Sequence, residues 1–446
     1  MEKLIITEFG AQEGVLSTNQ IQEALNKATQ LGGGTVVIPR GTFITGTLNM
    51  GRASLYLEKG AILKGSGDPK DYYPNGFSHN EMKECTSMLY SFDSDDISIS
   101  GEGTIDLNAM AFYDNVHDIP DYGIEFSEEQ IKECTLTYQF RPTQPIFFYL
   151  CNNIKIHGIR IINAPCWTLS FNQCENIRVT ELTIDNDPTV PNNDGMHFCS
   201  CKQVFVRGCN ITSGDDCIAL SGITDWDKPC EDVIISDCIL RSSSKALVLG
   251  YMHSIIRNIV ISNCIIRDSH RALCIMTSDR TGLIEHVLVE NMRLDTRVHA
   301  GNWWGNGEPI CIFALHHNNE NYLLPTPDRD WPVNITDIQF KNISCSGENV
   351  IGIIGENFTI QNIFLDGITM NRKDSLNRAL KGDRVIDVSP SKAIVKLPED
   401  ENEYWIHLQG CKNITAVNIE LSEYHGKKMK TSMKDCQNIV VDTKNV

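Results

Sequence analysis

From about residue 95 onward the chain repeats one pattern of polar and apolar positions: a short polar lead, often with Asn or Asp, then alternating apolar residues, then a turn. It recurs as DDISISGEGTI, NNIKIHGIRII, ENIRVTELTI, KQVFVRGCNI, EDVIISDCIL, RNIVISNCII, EHVLVENMRL, TDIQFKNIS and KNITAVNIEL. Ile177, Val204, Val233, Ile259 and Val287 open the apolar run in successive copies, at intervals of 27, 29, 26 and 28 residues. Self-similarity at this length marks stacked structural units. The β-branched residues alternate with period two, and the spaces between runs are too short for a crossover helix, so leucine-rich and βαβ repeats fit poorly. The pattern predicts a parallel β-helix, in which equivalent positions of successive coils stack about 4.8 Å apart. Inward Ile, Val, Leu, Cys and Asn are expected to form ladders along its interior.

Ahead of the repeats, STNQIQEALNKATQLGGG has a capping-box spacing from Ser17 to Gln20, Ile21, Leu25 and Ala28 on one helical face, and a glycine stop. Alternating strands follow in TVVIPRGTFITGTLNM and ASLYLEKGAILKGS. Residues 1–70 therefore read as a capping helix and first coils, the helix shielding open strand edges. The whole chain, 1–446, reads as a single all-β domain broken by insertions near 107–141, 298–333 and 367–406. The first contains SEEQIKEC, expected as a short helix; long insertions in a solenoid emerge on one face, as a cleft wall or a subunit contact.

Composition narrows the partners. With 41% apolar and 22% charged residues the chain reads as soluble and globular. A net charge of −18 argues against nucleic acid or an anionic membrane, which need a concentrated basic surface. The opening MEKLIITEFGAQEG lacks the apolar core of a signal peptide, and no stretch of about 18 apolar residues follows, so a cytoplasmic location is the expectation. The 17 cysteines are scattered through strand-like runs without any C-x-x-C pair, which fits reduced, buried thiols.

The candidate chemistry is acidic. TSGDDCIAL carries Asp215 and Asp216, and PNNDGMHFCS carries Asp194, 21 and 22 residues earlier, about one coil. Three carboxylates are thus expected on one patch of surface. Like charges so close favour a proton held on at least one of them, the pairing of acid and base that glycoside hydrolysis uses. A hard-cation site and simple turn capping account for the same spacing. Strict strand alternation would send one of Asp215 and Asp216 inward, so a strand edge or bulge is expected at Gly214.

At these residues the chain resembles the polygalacturonases of glycoside hydrolase family 28, whose fold is a right-handed parallel β-helix. FGAQEGVLSTNQIQEALNKATQLGGGTVVIPRGTF is similar to the family's N-terminal region and RPTQPIFFYLCNNIKIHGIRIINAPCWTLSFNQCENIRV to its central coils. The family's Asn-Thr-Asp motif matches Asn192, Asn193 and Asp194, and its Gly-Asp-Asp motif matches Gly214, Asp215 and Asp216. The resemblance implies Asp215 as general acid, Asp194 and Asp216 as the groups that position and deprotonate water, and inversion at the anomeric carbon. Acid and base are then expected roughly 6.5–9.5 Å apart.

Two motifs depart from the family. Its Gly-His-Gly becomes SSSKALVLGY, with Lys245 at the histidine and Ala246 at the second glycine; its Arg-Ile-Lys becomes RALCIMTSD, with Cys274 and Met276 at the basic residues. The family's basic residues bind a galacturonate carboxylate, so either Lys245, His270, Arg271 and Arg280 substitute as ligands, with Lys245 foremost, or the substrate is different. Trp303, Trp304, Trp331 and Trp405 lie in insertions, where an indole stacks on sugar or anchors its loop. His316 and His317 have no partner at zinc-ligand spacing, and neither a metal nor a cofactor is expected. The reading is an exo-acting glycosidase for galacturonate-containing or related oligosaccharides, with a homo-oligomer left open. A uronate lyase or epimerase, or a non-catalytic carbohydrate-binding solenoid, are the rivals.

Overall fold

The polar lead of the repeat is a corner. Asp96, Asn153, Asn176, Gln203, Asp232, Asn258, His286, Asp337, Asn362, Asn413 and Asn438 each occupy the second position of their lead, and each has φ between 53° and 60°. Left-handed backbone is costly for most side chains and cheapest for Asn and Asp, which explains the composition of these positions. Side-chain amides at neighbouring corners hydrogen-bond in series, as from Asn342 Nδ2 to Asn291 Oδ1 (2.7 Å) and from Asn438 to Asn413 to Asn362 (both 3.0 Å). These asparagines run along the exposed edge of the coils, so the expected interior Asn ladder is corrected to an exterior one. Water tolerates an amide's unused lone pair and N–H, whereas an apolar interior would not.

The computed structural model describes residues 3–78, 84–114, 136–222, 228–251, 254–278, 281–299, 303–315, 333–375, 384–388 and 394–445. They group into two units, the described residues within 3–114, 136–218 and 233–238, and those within 219–232 and 239–445. In the first, three parallel ladders rise in register. One runs from Lys3–Ile5 through Thr35–Ile38, Ser54–Leu57, Ser98–Gly101, Asn152–His157 and Glu175–Thr180 to Lys202–Arg207. Another climbs from Gly41–Thr45 to Asn210–Ser213. The last links Leu48–Asn49, Leu89–Phe92, Ile146–Tyr149, Leu169–Asn172 and Met196–Cys199. This is the parallel β-helix that the repeat predicts.

Inward residues stack on their equivalents. Phe148, Phe171 and Phe198 form a column with ring centroids 5.3 and 5.0 Å apart and planes tilted by 11° and 2°. Cys151, Cys174 and Cys201 fill another interior column. The helix Thr18–Gln30 covers the first coils with Ile21, Ala24, Leu25 and Ala28 buried. Its start differs from the capping box: the Ser17 hydroxyl donates to Val15 O (3.0 Å) and accepts from Gln12 N (3.1 Å), fastening the preceding turn rather than the helix.

In the second unit two faces merge into long strands, Leu283–Thr296, Ile335–Gly347 and Ile360–Arg372, continued by Cys411–Leu421 and Gln437–Asn445. A second ladder joins Lys245–Gly250, Arg271–Thr277, Ile310–Ala314, Ile351–Gly355, Glu403–Gln409 and Met429–Lys434. Strands thus occupy 310–314, 367–372 and 403–406, so both later insertions are shorter than their expected bounds. Trp405 lies in such a strand, wholly buried, with Nε1 donating to Thr431 Oγ1 (3.1 Å), an anchor and not a sugar platform. The helix expected in SEEQIKEC, and Arg280, His316, His317 and Trp331, lie outside the described residues. Among the described residues no helix is long and apolar enough to cross a membrane.

Sixteen described cysteines are unbonded, and all but Cys436 are buried. Cys436 Sγ lies 3.4 Å from Cys411 Sγ. The hydrogen bond from Cys411 holds the Cys436 thiol down at about 6, below the ordinary thiol range. Being lowered, it is thiolate at pH 7, so limiting iodoacetamide at that pH should label Cys436 before Cys411, read by peptide mapping; Cys411→Ala should slow that labelling. Phe171→Ala should cost about 3–5 kcal/mol by opening a gap in the aromatic column, measured as a lower chemical-unfolding midpoint.

Candidate active site

The strand Asn210–Ser213 stops one residue before Gly214, and Gly214–Cys217 form a bend. The expected strand edge is therefore present, and strand alternation no longer governs where Asp215 and Asp216 point. Gly195 N donates to Asp216 O (2.8 Å) and Met196 N to Cys217 O (2.9 Å), which brings the previous coil, with Asp194, alongside the pair. One oxygen from each of Asp194, Asp215 and Asp216 lies within 4.8 Å of the others. Asp194 and Asp216 are buried, while Asp215 is half-exposed. These nearest oxygens are closer than the 6.5–9.5 Å expected from a base standing off, because one coil separates the acids by a single strand spacing. The same convergence could take a hard cation.

The bend is held by Asn193, a wholly buried residue. Its Oδ1 accepts from Gly214 N (2.5 Å) and Asp215 N (3.3 Å), and its Nδ2 donates to Asp187 O (2.7 Å). Asn186 fastens the same loop from behind, donating to Thr168 Oγ1 (2.8 Å) and Asn193 O (3.0 Å) and accepting from Ala164 N (2.9 Å). Gly214 leaves no room for a side chain: a Cβ there would sit 2.4 Å from Val190 O and 2.8 Å from Asn193 Oδ1.

Around the acids are residues that sequence reasoning missed. His197 Nε2 lies 2.7 Å from Asp194 Oδ2, and its ring stacks on Trp167 at 3.9 Å between centroids. Arg141, buried at the end of the first insertion, donates through Nη2 to Asn192 Oδ1 (2.9 Å). Asn192, from the matched motif, is exposed, and its Nδ2 lies 3.5 Å from Asp215 Oδ2, so the structure places it beside the acids. Cys166, enclosed nearby, has its thiol pushed up to about 11, first by burial, so it stays neutral at neutral pH. His197 had a readable signal, since it follows Asp194 by three residues and lies outward on a strand; Arg141 had none.

The other expected ligands lie in the second unit. Lys245 is buried, with Nζ 4.3 Å from the centroid of the Trp304 ring, and Tyr251 stacks on that indole at 6.1 Å. The structure thus brings together Lys245 and Trp304, two of the residues singled out from sequence. His270 and Arg271 are corrected, both being wholly enclosed. Arg271 Nη2 pairs with Glu308 Oε2 (3.2 Å) and also donates to Asp387 O. His270 Nδ1 accepts from His299 N (3.1 Å), so its Nε2 carries the hydrogen and donates to Gly305 O (2.7 Å). Both residues anchor the loop that carries Trp304. Cys274 and Met276 pack in an apolar cluster with Ile386, Val388, Val395 and Leu397. The hairpin of Val385–Asp387 and Ile394–Lys396 covers that face, which is why apolar residues suit positions where the family has cations.

Parallel coils that bring three acids together beside a buried amide clamp define, in class, a parallel β-helix with a candidate acid–base site. The model of glycosyl hydrolases family 28 matches residues 38–378, and the chain belongs to that family, a glycosidase that hydrolyses O-glycosyl bonds. It is similar to a probable polygalacturonase of Vitis vinifera, 23% identical over 77% of this chain and 69% of the relative. An endo-polygalacturonase of Pectobacterium carotovorum is 23% identical over 76% of this chain and 80% of its own length. Among solved structures, the family 28 exopolygalacturonase of Yersinia enterocolitica superposes with a TM-score of 0.72 at 18% identity, covering 100% of this chain and 79% of the other. A Thermotoga maritima exopolygalacturonase gives 0.63 at 22% identity, covering 82% and 86%. The fold is accordingly a right-handed parallel β-helix.

Gly214→Ala should push the bend off Asn193 and displace Asp215. The expected result is a loss of about 1–3 kcal/mol of stability with a larger fall in turnover than in melting temperature, checked by calorimetry beside a hydrolysis assay.

Proposed function

We propose that the protein hydrolyses α-linked, galacturonate-containing oligosaccharides, with Asp215 donating a proton to the leaving oxygen while Asp194 and Asp216 hold and deprotonate water. The observation that carries this reading is the meeting of Asp194, Asp215 and Asp216 with one member half-exposed and two buried. An exposed carboxyl can reach a glycosidic oxygen; two enclosed carboxylates can grip a single water between them. Glycoside hydrolysis needs both roles in one site. The substrate class is drawn from the relatives, which are described as polygalacturonases.

Release of terminal residues is the mode we assign. The support for this mode is the chain's long insertions, which in a solenoid emerge on one face and narrow a groove to a pocket. Lys245, at the family's histidine position, is assigned to the substrate carboxylate and Trp304 to the sugar ring.

The test is an NMR time course on galacturonate, rhamnose-galacturonate and neutral oligosaccharides. Inversion appears as an initial β product from an α linkage; an initial α product would mean double displacement, which the short spacing of the oxygens would then explain. Asp215→Asn should cut turnover by about 10²–10⁴-fold, and undiminished turnover would remove it from the acid role. Monosaccharide should accumulate from the first points, whereas a rapid fall in polymer viscosity would show midchain cleavage. An ultraviolet-absorbing unsaturated product would identify a lyase instead. Lys245→Met should raise KM for galacturonate oligosaccharides and leave neutral ones unaffected.

A further inference from the structure

We propose that Arg141 is a positioning residue for proton donation by Asp215, acting through Asn192; the inference rests on the hydrolytic reading above. Arg141 closes the first insertion and is 6% exposed. Its Nη1 donates to Tyr113 Oη (2.9 Å), Pro165 O (3.0 Å) and Pro191 O (2.7 Å), and its Nη2 to Asn192 Oδ1 (2.9 Å). The Tyr138 ring covers the guanidinium at 4.1 Å. A group held at so many points cannot turn to follow Asn192, so Asn192 must conform to it.

Guanidinium donates and never accepts. The Asn192 amide, which could otherwise face either way, is therefore obliged to turn its oxygen to Arg141. Its NH2 then faces Asp215, 3.5 Å from Oδ2. The carbonyl oxygen of a carboxylic acid is its better acceptor, so an N–H donor at Oδ2 favours the acid proton on Oδ1. In the reaction the Oδ1–H bond breaks as the proton joins the glycosidic oxygen, and the electrons of the C–O glycosidic bond pass to that oxygen. Water completes the new C–O bond at the anomeric carbon and gives its proton to the Asp194 and Asp216 pair. Asp215 is left as a carboxylate, to which the Asn192 N–H binds more strongly than to the acid. The contact thus strengthens as the proton leaves, the condition for an interaction to lower a barrier.

Such a role has a signature that fold support lacks. A leaving group that departs without a proton should bypass it. Wild type, Arg141→Met, Arg141→Lys, Asn192→Gly and Asp215→Asn are compared on digalacturonate and on 4-nitrophenyl α-galacturonide. Asn192 is exposed and has φ 57°, which glycine adopts without strain, so this variant keeps the test open should Arg141→Met fail to fold. Arg141→Met and Asn192→Gly should each lose about 10–100-fold in kcat on digalacturonate, with KM within about twofold, and stay near wild type on the nitrophenyl glycoside. Arg141→Lys should fall between. If Asp215→Asn shows this leaving-group pattern while Arg141→Met and Asn192→Gly lose equally on both substrates, or on neither, the positioning role is overturned and the hydrolytic reading stands. If Asp215→Asn shows no such pattern, Asp215 is not the acid and this inference falls with that role; if the wild type cleaves neither probe, the galacturonide reading falls and takes this inference with it.

Discussion

Register between coils is the constraint on which everything else in this molecule rests. Parallel strands pair only if each coil turns where its neighbour turns, and the corner residue at positive φ sets that place. The cost of left-handed backbone is met by Asn and Asp, whose side chains then bond to the corner below. Once the corners align, Phe stacks on Phe, Cys on Cys and Ile on Ile without further instruction. Functional residues from separate coils are brought together by the same rule.

The acids use this regularity and then depart from it. Stacking alone would set Asp194 beside its equivalent one coil later, with side chains on alternating faces. The bend Gly214–Cys217 releases Asp215 and Asp216 from that alternation, and the buried Asn193 amide makes the bend rigid by accepting two backbone N–H groups at once. Glycine at 214 is a consequence, since the clamp occupies the space of a side chain. The first insertion adds a second fixing point through Arg141, so a part of the chain that breaks the repeat serves the part that keeps it.

Much of this was legible in the residues. Period-two apolar runs at near-constant spacing specify stacked strands, and the capping helix, the acidic trio and its strand-edge setting follow from pattern and spacing. The resemblance to the family rests on the intact Gly214-Asp215-Asp216 motif and on Asn192 and Asp194 of the other acidic motif. Other features misled for identifiable reasons. A basic residue next to a motif reads as a ligand, yet Arg271 is neutralised by Glu308, 37 residues away, and buried with it. Ser17 looks like a helix cap because the spacing is right, but its hydroxyl has a closer partner in the turn before it. Asn in a strand-like run reads as an interior ladder, although the backbone corner puts it outside.

By itself, the order of residues determined the repeat, the β-helix and the meeting of Asp194 with Asp215 and Asp216, because those depend on local periodicity and on distance along the chain. Tertiary structure alone decided which polar groups face the acids and which are consumed in holding loops. Arg141 reaches Asn192 across 51 residues, and the hairpin at 385–396 covers Cys274 across more than 100. No local pattern encodes such pairings, since they join insertions to coils far away along the chain.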